Sequence, residues 1–126
     1  MLEQRLAILL QGGVIDQDIY KDMLSVVHDL EDIWLIPVHH PQGEMALTHM
    51  AVALMRSRRG EEIAPLDGEI LASIEQCEHY EQLTTILRAL LKKFTVILHP
   101  NEEGYLLVNL YGLMFSLENH SFSDTP

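Results

Sequence analysis

The sequence predicts an all-α protein, a compact bundle of five to six helices, on three observations. Apolar residues recur at helical spacing in almost every segment, beginning with Leu2, Leu6, Leu9 and Leu10. Nothing along the chain requires a sheet, and no Gly/Ser linker, low-complexity tract or internal repeat divides it. At 126 residues, 48% hydrophobic and 21% charged, it fits one domain large enough to bury a core.

The first helix carries the four leucines and ends at the turn Gln11-Gly12-Gly13. Asp16 is a start signal for the second, whose Ile19, Met23, Val27 and Leu30 share a face. The stretch DIWLIPVHHPQGE holds two prolines and a glycine, which predicts a loop packed down by Trp34, Leu35 and Ile36. A third helix is predicted from Glu44 to Arg59, closed by Gly60. The turn EEIAPLDG leads into a fourth, from near Asp67 to about Tyr80, and a fifth continues from Glu81 to about Phe94. After an irregular connection, Val96 to Pro100, Asn101 is placed to cap a sixth helix with Glu102 and Glu103 at its positive end. These elements make one domain over residues 1–117, with a polar tail, 118–126, expected to fray.

The formal net charge of -11, from eight Lys plus Arg against nineteen Asp plus Glu, repels nucleic acid phosphates and acidic membrane surfaces. Direct nucleic acid or membrane binding is therefore not expected. The first apolar run is too short, and Glu3 too close, for a signal sequence, and a single cysteine cannot form an internal disulfide. Together these predict a cytoplasmic chain.

Within LTHMAVALMRSRRG, Leu47, Met50, Ala51 and Leu54 form the core stripe of the third helix. His49 lies off that stripe, on a face shared with Val52, Ala53 and Arg56, where the small residues leave a shallow groove. In the sixth helix, Leu107, Leu110, Tyr111 and Met114 stand at the same offsets from Asn109 as the core stripe does from His49. Glu102, Tyr105, Gly112 and Leu113 flank Asn109 on the other side. Pattern alone leaves two readings of His49: a half-buried or dimer-covered histidine bonded to a neighbour, or an exposed imidazole available for nucleophilic chemistry.

The segments LTHMAVALMR and PNEEGYLLVN resemble the two signature helices of the PTS regulation domain (PRD). That domain occurs in bacterial transcriptional antiterminators and activators under the sugar phosphotransferase system. RLAILLQGGVI and the helix from Tyr20 to Leu30 are similar too, so the likeness covers residues 5 to 115. The resemblance implies a compact helical bundle, usually dimeric, controlled by histidine phosphorylation from the phosphocarrier protein HPr or a sugar-specific EIIB component. His49 matches the first family histidine and Arg56 the arginine after it. The second family histidine, four residues after the tyrosine of an E-x-G-Y motif, is replaced by Asn109, which cannot accept a phosphoryl group. Thr48 replaces the acidic residue that often precedes the first histidine. Family members commonly add a nucleic-acid-binding module or a second copy of the domain, for which this chain has no room.

Two readings of function follow, neither an enzyme and neither with a cofactor. One is a stand-alone regulatory domain, a homodimer, phosphorylated on His49 to change dimer or effector-protein contacts, with Arg56 and Asn109 contacting phosphoryl group or partner. The other is a degenerate domain that acts only by protein association, to which the replacement at Asn109 points. A metal-site reading of His39, His40 and Glu44 lacks the helix spacing or cysteine cluster that zinc requires, so no metal is expected. Arg58 and Arg59 read as a solvated helix end, and His99 as a loop histidine or an anion contact beside Pro100. His28, His79 and His120 carry no assigned role, and Cys77 reads as a packing residue.

Overall fold

The computed structural model describes residues 2–123, with side chains as far as Phe115. Six helices follow in order, α1 (Leu2–Gln11), α2 (Gln17–Asp32), α3 (Pro41–Arg58), α4 (Gly68–Gln76), α5 (Tyr80–Leu91) and α6 (Pro100–Ser123), with no strand among the described residues. The all-α bundle the periodicity predicts is therefore the fold.

Helices α2, α3, α4 and α6 begin where side chains satisfy free backbone N–H groups, whereas α5 has no side-chain cap. Asp16 accepts from the Ile19 N–H at 3.0 Å to open α2. Asp67 does the same for Glu69 and Ile70 in α4. Helix α3 starts at Pro41, three residues before the predicted Glu44, because proline suits the first helical position and the His40 Nδ1 accepts from the Gly43 N–H. Helix α6 likewise starts at Pro100, so Asn101 lies inside it. The cap is His99, whose Nδ1 accepts from the Asn101 N–H at 3.0 Å, and Asn101 instead donates its amide to the Ile63 carbonyl. Helices α4 and α5 are shorter than their spacing suggests: a turn over Cys77–His79 separates them, and α5 ends at Leu91.

Helix α3 is central, packing on α1, α2 and α6, while α6 also carries α4 and α5. One apolar cluster runs through all six, from Leu2 and Leu6 through Met23, Leu30 and Leu54 to Leu83, Leu106 and Leu113. Burying each such side chain contributes about 2 kcal/mol before ordering costs. The α2–α3 loop is pinned by Ile36 and Val38, both buried, rather than by Leu35, which is 77% exposed with a positive φ of 57°. Gly43 lets α3 pass against this loop, since a Cβ there would meet the Val38 carbonyl oxygen at 2.1 Å. The backbone of α6 continues as helix to Ser123, and residues 124–126 of the expected tail lie outside the described residues.

Candidate functional site

On α3 the expected stripe is the buried one: Leu47, Met50, Ala51 and Leu54 are each at most 4% exposed. His49 lies off it and is exposed, Ala53 is buried, and Arg56 is intermediate. On α6 the buried arc differs from expectation. Leu106, Leu107, Leu110 and Leu113 face the core, whereas Tyr111 is 37% exposed and Met114 only half-buried. The helix is apolar on nearly every side, from Tyr105 to Phe115, so spacing alone gave no unique face. Packing between α3 and α5 rotated the arc toward Leu106 and Leu113.

That rotation brings α6 against the His49 face of α3. The Asn109 Nδ2 lies 3.3 Å from the His49 Nδ1. Two helical turns away, Arg56 donates from Nε to Glu102 Oε2 at 2.8 Å and from Nη2 to Oε1 at 3.0 Å. Glu102 is 1% exposed, the one buried ionisable side chain among the described residues. The hydrogen bond to Glu102 lifts the Arg56 pKa above its ordinary value, against the smaller opposing effect of partial burial. Between the two contacts lies an open groove of about 430 Å³, with Ala53 and Leu106 beneath and Ile63 at its edge.

The α3–α4 connection forms the groove's lip and is tied to α6. Asn101 holds the Ile63 carbonyl at 3.0 Å and the Tyr105 hydroxyl donates to the Ala64 carbonyl at 3.2 Å. Thus His49, Arg56 and Asn109 all line one groove. Glu102 and Tyr105 belong to it as well. Sequence reasoning placed Glu102 at the helix dipole and missed its bond to Arg56, although the E-x-G-Y spacing already marked both residues. Thr48 turns back to donate to the Glu44 carbonyl of its own helix.

The remaining candidates are drawn into structural contacts. Arg58 pairs with Asp16 at the start of α2 and donates to Thr95 Oγ1, and Arg59 donates to the Gly13 carbonyl, so both tie the end of α3 to neighbouring elements. His39 bridges two helices: Nε2 meets Glu3 of α1 and Nδ1 meets Glu31 of α2 at 2.7 Å, with Glu31 also accepting the Val38 N–H. His99 Nε2 contacts Glu62 at 2.9 Å, and the His79 ring stacks against Phe115 with centroids 4.3 Å apart. Among the described residues no three His, Cys, Asp or Glu side chains gather as a metal ligand set, and no helix is long and apolar enough to cross a membrane.

Fold and groove together define the class: a six-helix all-α domain with a histidine, an arginine and an amide facing one another across two antiparallel helices. The chain is 54% identical over 112 residues to an Escherichia coli (strain K12) protein named "Uncharacterized protein YhfY", spanning 89% of this chain and 93% of that relative. It belongs to the YhfY family. No family model matches the chain, and no solved structure does.

Proposed function

We propose that this protein is a stand-alone, non-enzymatic regulatory domain of the sugar phosphotransferase type, acting in the cytoplasm in transcriptional control of carbohydrate use. HPr or an EIIB component phosphorylates His49 reversibly, and the new charge alters homodimer or effector contacts. The observation that carries this reading is the position of His49: exposed at the rim of a groove, with Nε2 lacking a hydrogen-bond partner among the described residues and Arg56 fixed on the same wall.

A phosphoryl group adds roughly -1.5 to -2 charge. On a chain of net charge -11 that addition is opposed almost everywhere. Near Arg56 it is not, because of the five guanidinium N–H groups Glu102 takes two, leaving the others for a further acceptor. Asn109 in place of a second acceptor favours a one-histidine version, and taken alone it also suits a domain that works by association only.

The test is incubation with phosphoenolpyruvate, enzyme I, HPr and candidate EIIB components. The wild type is expected to take label and His49→Ala to take none. Equal labelling of the two, or no labelling of the wild type, refutes phosphorylation of His49 by these donors.

A further inference from the structure

We propose that Asn109 is a positioning residue that sets the tautomer of the His49 ring, directing a phosphoryl group to Nε2 and serving the ring both before and after transfer. The proposal rests on the phosphoacceptor reading above and gives Asn109 a part in it beyond that of a lost acceptor.

The amide covers Nδ1 at 3.3 Å while Nε2 has no hydrogen-bond partner among the described residues. The nearest ionic groups lining the groove, Arg56 and Glu102, are bound to each other about two helical turns, or roughly 10 Å, away. The Tyr105 hydroxyl donates outward to the Ala64 carbonyl. Asn109 is therefore the polar partner of the ring.

An amide carries a donor at one end and an acceptor at the other, interchanged by a half-turn of its terminal torsion. For Nε2 to attack, it must hold the lone pair, so Nδ1 must hold the proton. The amide oxygen accepts that proton's hydrogen bond. In the transfer, the Nε2 pair forms the N–P bond as the bond between phosphorus and the donor protein's atom breaks, its electron pair leaving with the donor. The ring is then cationic and releases the Nδ1 proton to water. Nδ1 is left with a lone pair, and the amide N–H donates to it. The observed placement, Nδ2 toward Nδ1, is this second orientation; in the unmodified ring a half-turn of the amide, which leaves its position unchanged, supplies the first. A carboxylate serves only the first state and an apolar side chain serves neither.

The experiment is NMR of protein carrying nitrogen-15 histidine, for wild type, Asn109→Leu and Asn109→Asp, at rest and after labelling with potassium phosphoramidate, which needs no partner protein. The Nδ1–H tautomer is expected to dominate in wild type and Asn109→Asp and to fall back to the free-histidine distribution in Asn109→Leu. Phosphoryl is expected on Nε2 of the wild type. Its hydrolysis is expected to run about tenfold faster in Asn109→Asp, because a carboxylate beside Nδ1 favours the protonated ring, the form that loses its phosphoryl group. Equal tautomer ratios in wild type and Asn109→Leu, or phosphoryl on Nδ1, overturn the proposal. Labelling of Nε2 by phosphoramidate with none from HPr or EIIB supports the Asn109 role and refutes only the partner-driven reading.

Discussion

Replacing Arg56 by alanine removes the charge that balances a buried carboxylate, and the cost follows from the geometry. Both Glu102 oxygens are taken by the guanidinium, and the Glu102 side chain is 1% exposed against 34% for Arg56. Orphaning one member of a buried pair costs about 3–5 kcal/mol. Because the arginine side of the pair is open, water reaches the carboxylate once the guanidinium is gone, which selects the lower end, about 3 kcal/mol. For a domain of this size each kcal/mol lowers Tm by about 4 °C, giving a fall of about 12 °C at pH 7. Removing both charges together, Arg56→Leu with Glu102→Leu, should restore at least half of it, since an apolar pair of this kind is about as stable as the ion pair. Thermal denaturation followed by circular dichroism reads both. An Arg56→Ala Tm within about 1 °C of wild type, or a double variant whose loss equals the sum of the single losses, refutes the assignment of Glu102 as a buried charge held by Arg56.

The His39 bridge predicts a pH window. Hydrogen bonds to Glu31 and then Glu3 raise the His39 pKa above its ordinary 6.5, so its contribution is complete below 6.5 and is lost as pH rises through the raised value. The bond to His39 lowers the Glu31 pKa below its ordinary 4.5, so that contribution is complete above 4.5 and is lost as pH falls through the lowered value. The Tm deficit of His39→Gln should therefore be greatest between 4.5 and 6.5 and smaller on either side, as thermal melts across pH will record. With the three side chains a third to two fifths exposed, it should stay under about 1 kcal/mol. Two glycines give a contrasting pair. Gly43→Ala drives a Cβ into the Val38 carbonyl and should cost about 3 kcal/mol or more, whereas Gly104→Ala meets only Leu66 and Leu71 side-chain atoms at 3.2 Å or beyond and should cost under about 1 kcal/mol, both measurable by urea titration.

What the sequence showed of the fold depended on how sharply each helix's apolar residues gather into one stripe. Helices α2 and α3 have one dominant apolar stripe, so Ile19, Met23, Val27 and Leu30, and then Leu47, Met50, Ala51 and Leu54, were legible from spacing and are all buried. Helix α6 packs on three helices, as α3 does, but its near-continuous apolar sequence hid which residues face inward. Helix starts were misread where histidine took the capping role: His40 and His99 supply a ring nitrogen where Asp, Asn or Ser is the usual guide. The break between α4 and α5 carries no Gly or Pro at Cys77–His79, so composition offered no signal for it.

The site was legible in part because its chemistry repeats one spacing in both helices of the antiparallel pair α3 and α6. Arg56 stands seven residues after His49, and Glu102 seven residues before Asn109. Seven residues return a helix to nearly the same side, displaced by about 10 Å. Two antiparallel helices with that spacing on facing sides must therefore meet at both ends together: setting His49 against Asn109 sets Arg56 against Glu102, as the 3.3 Å and 2.8 Å contacts show. Either contact alone fixes the register; having both makes the groove between them a fixed length. Between the ends lies Ala53, whose small buried side chain leaves the space that a longer residue would fill. Matching core offsets led the sequence reading to treat His49 and Asn109 as equivalents on separate helices. They are instead opposite sides of a single contact, and the ion pair at the other end holds them in register.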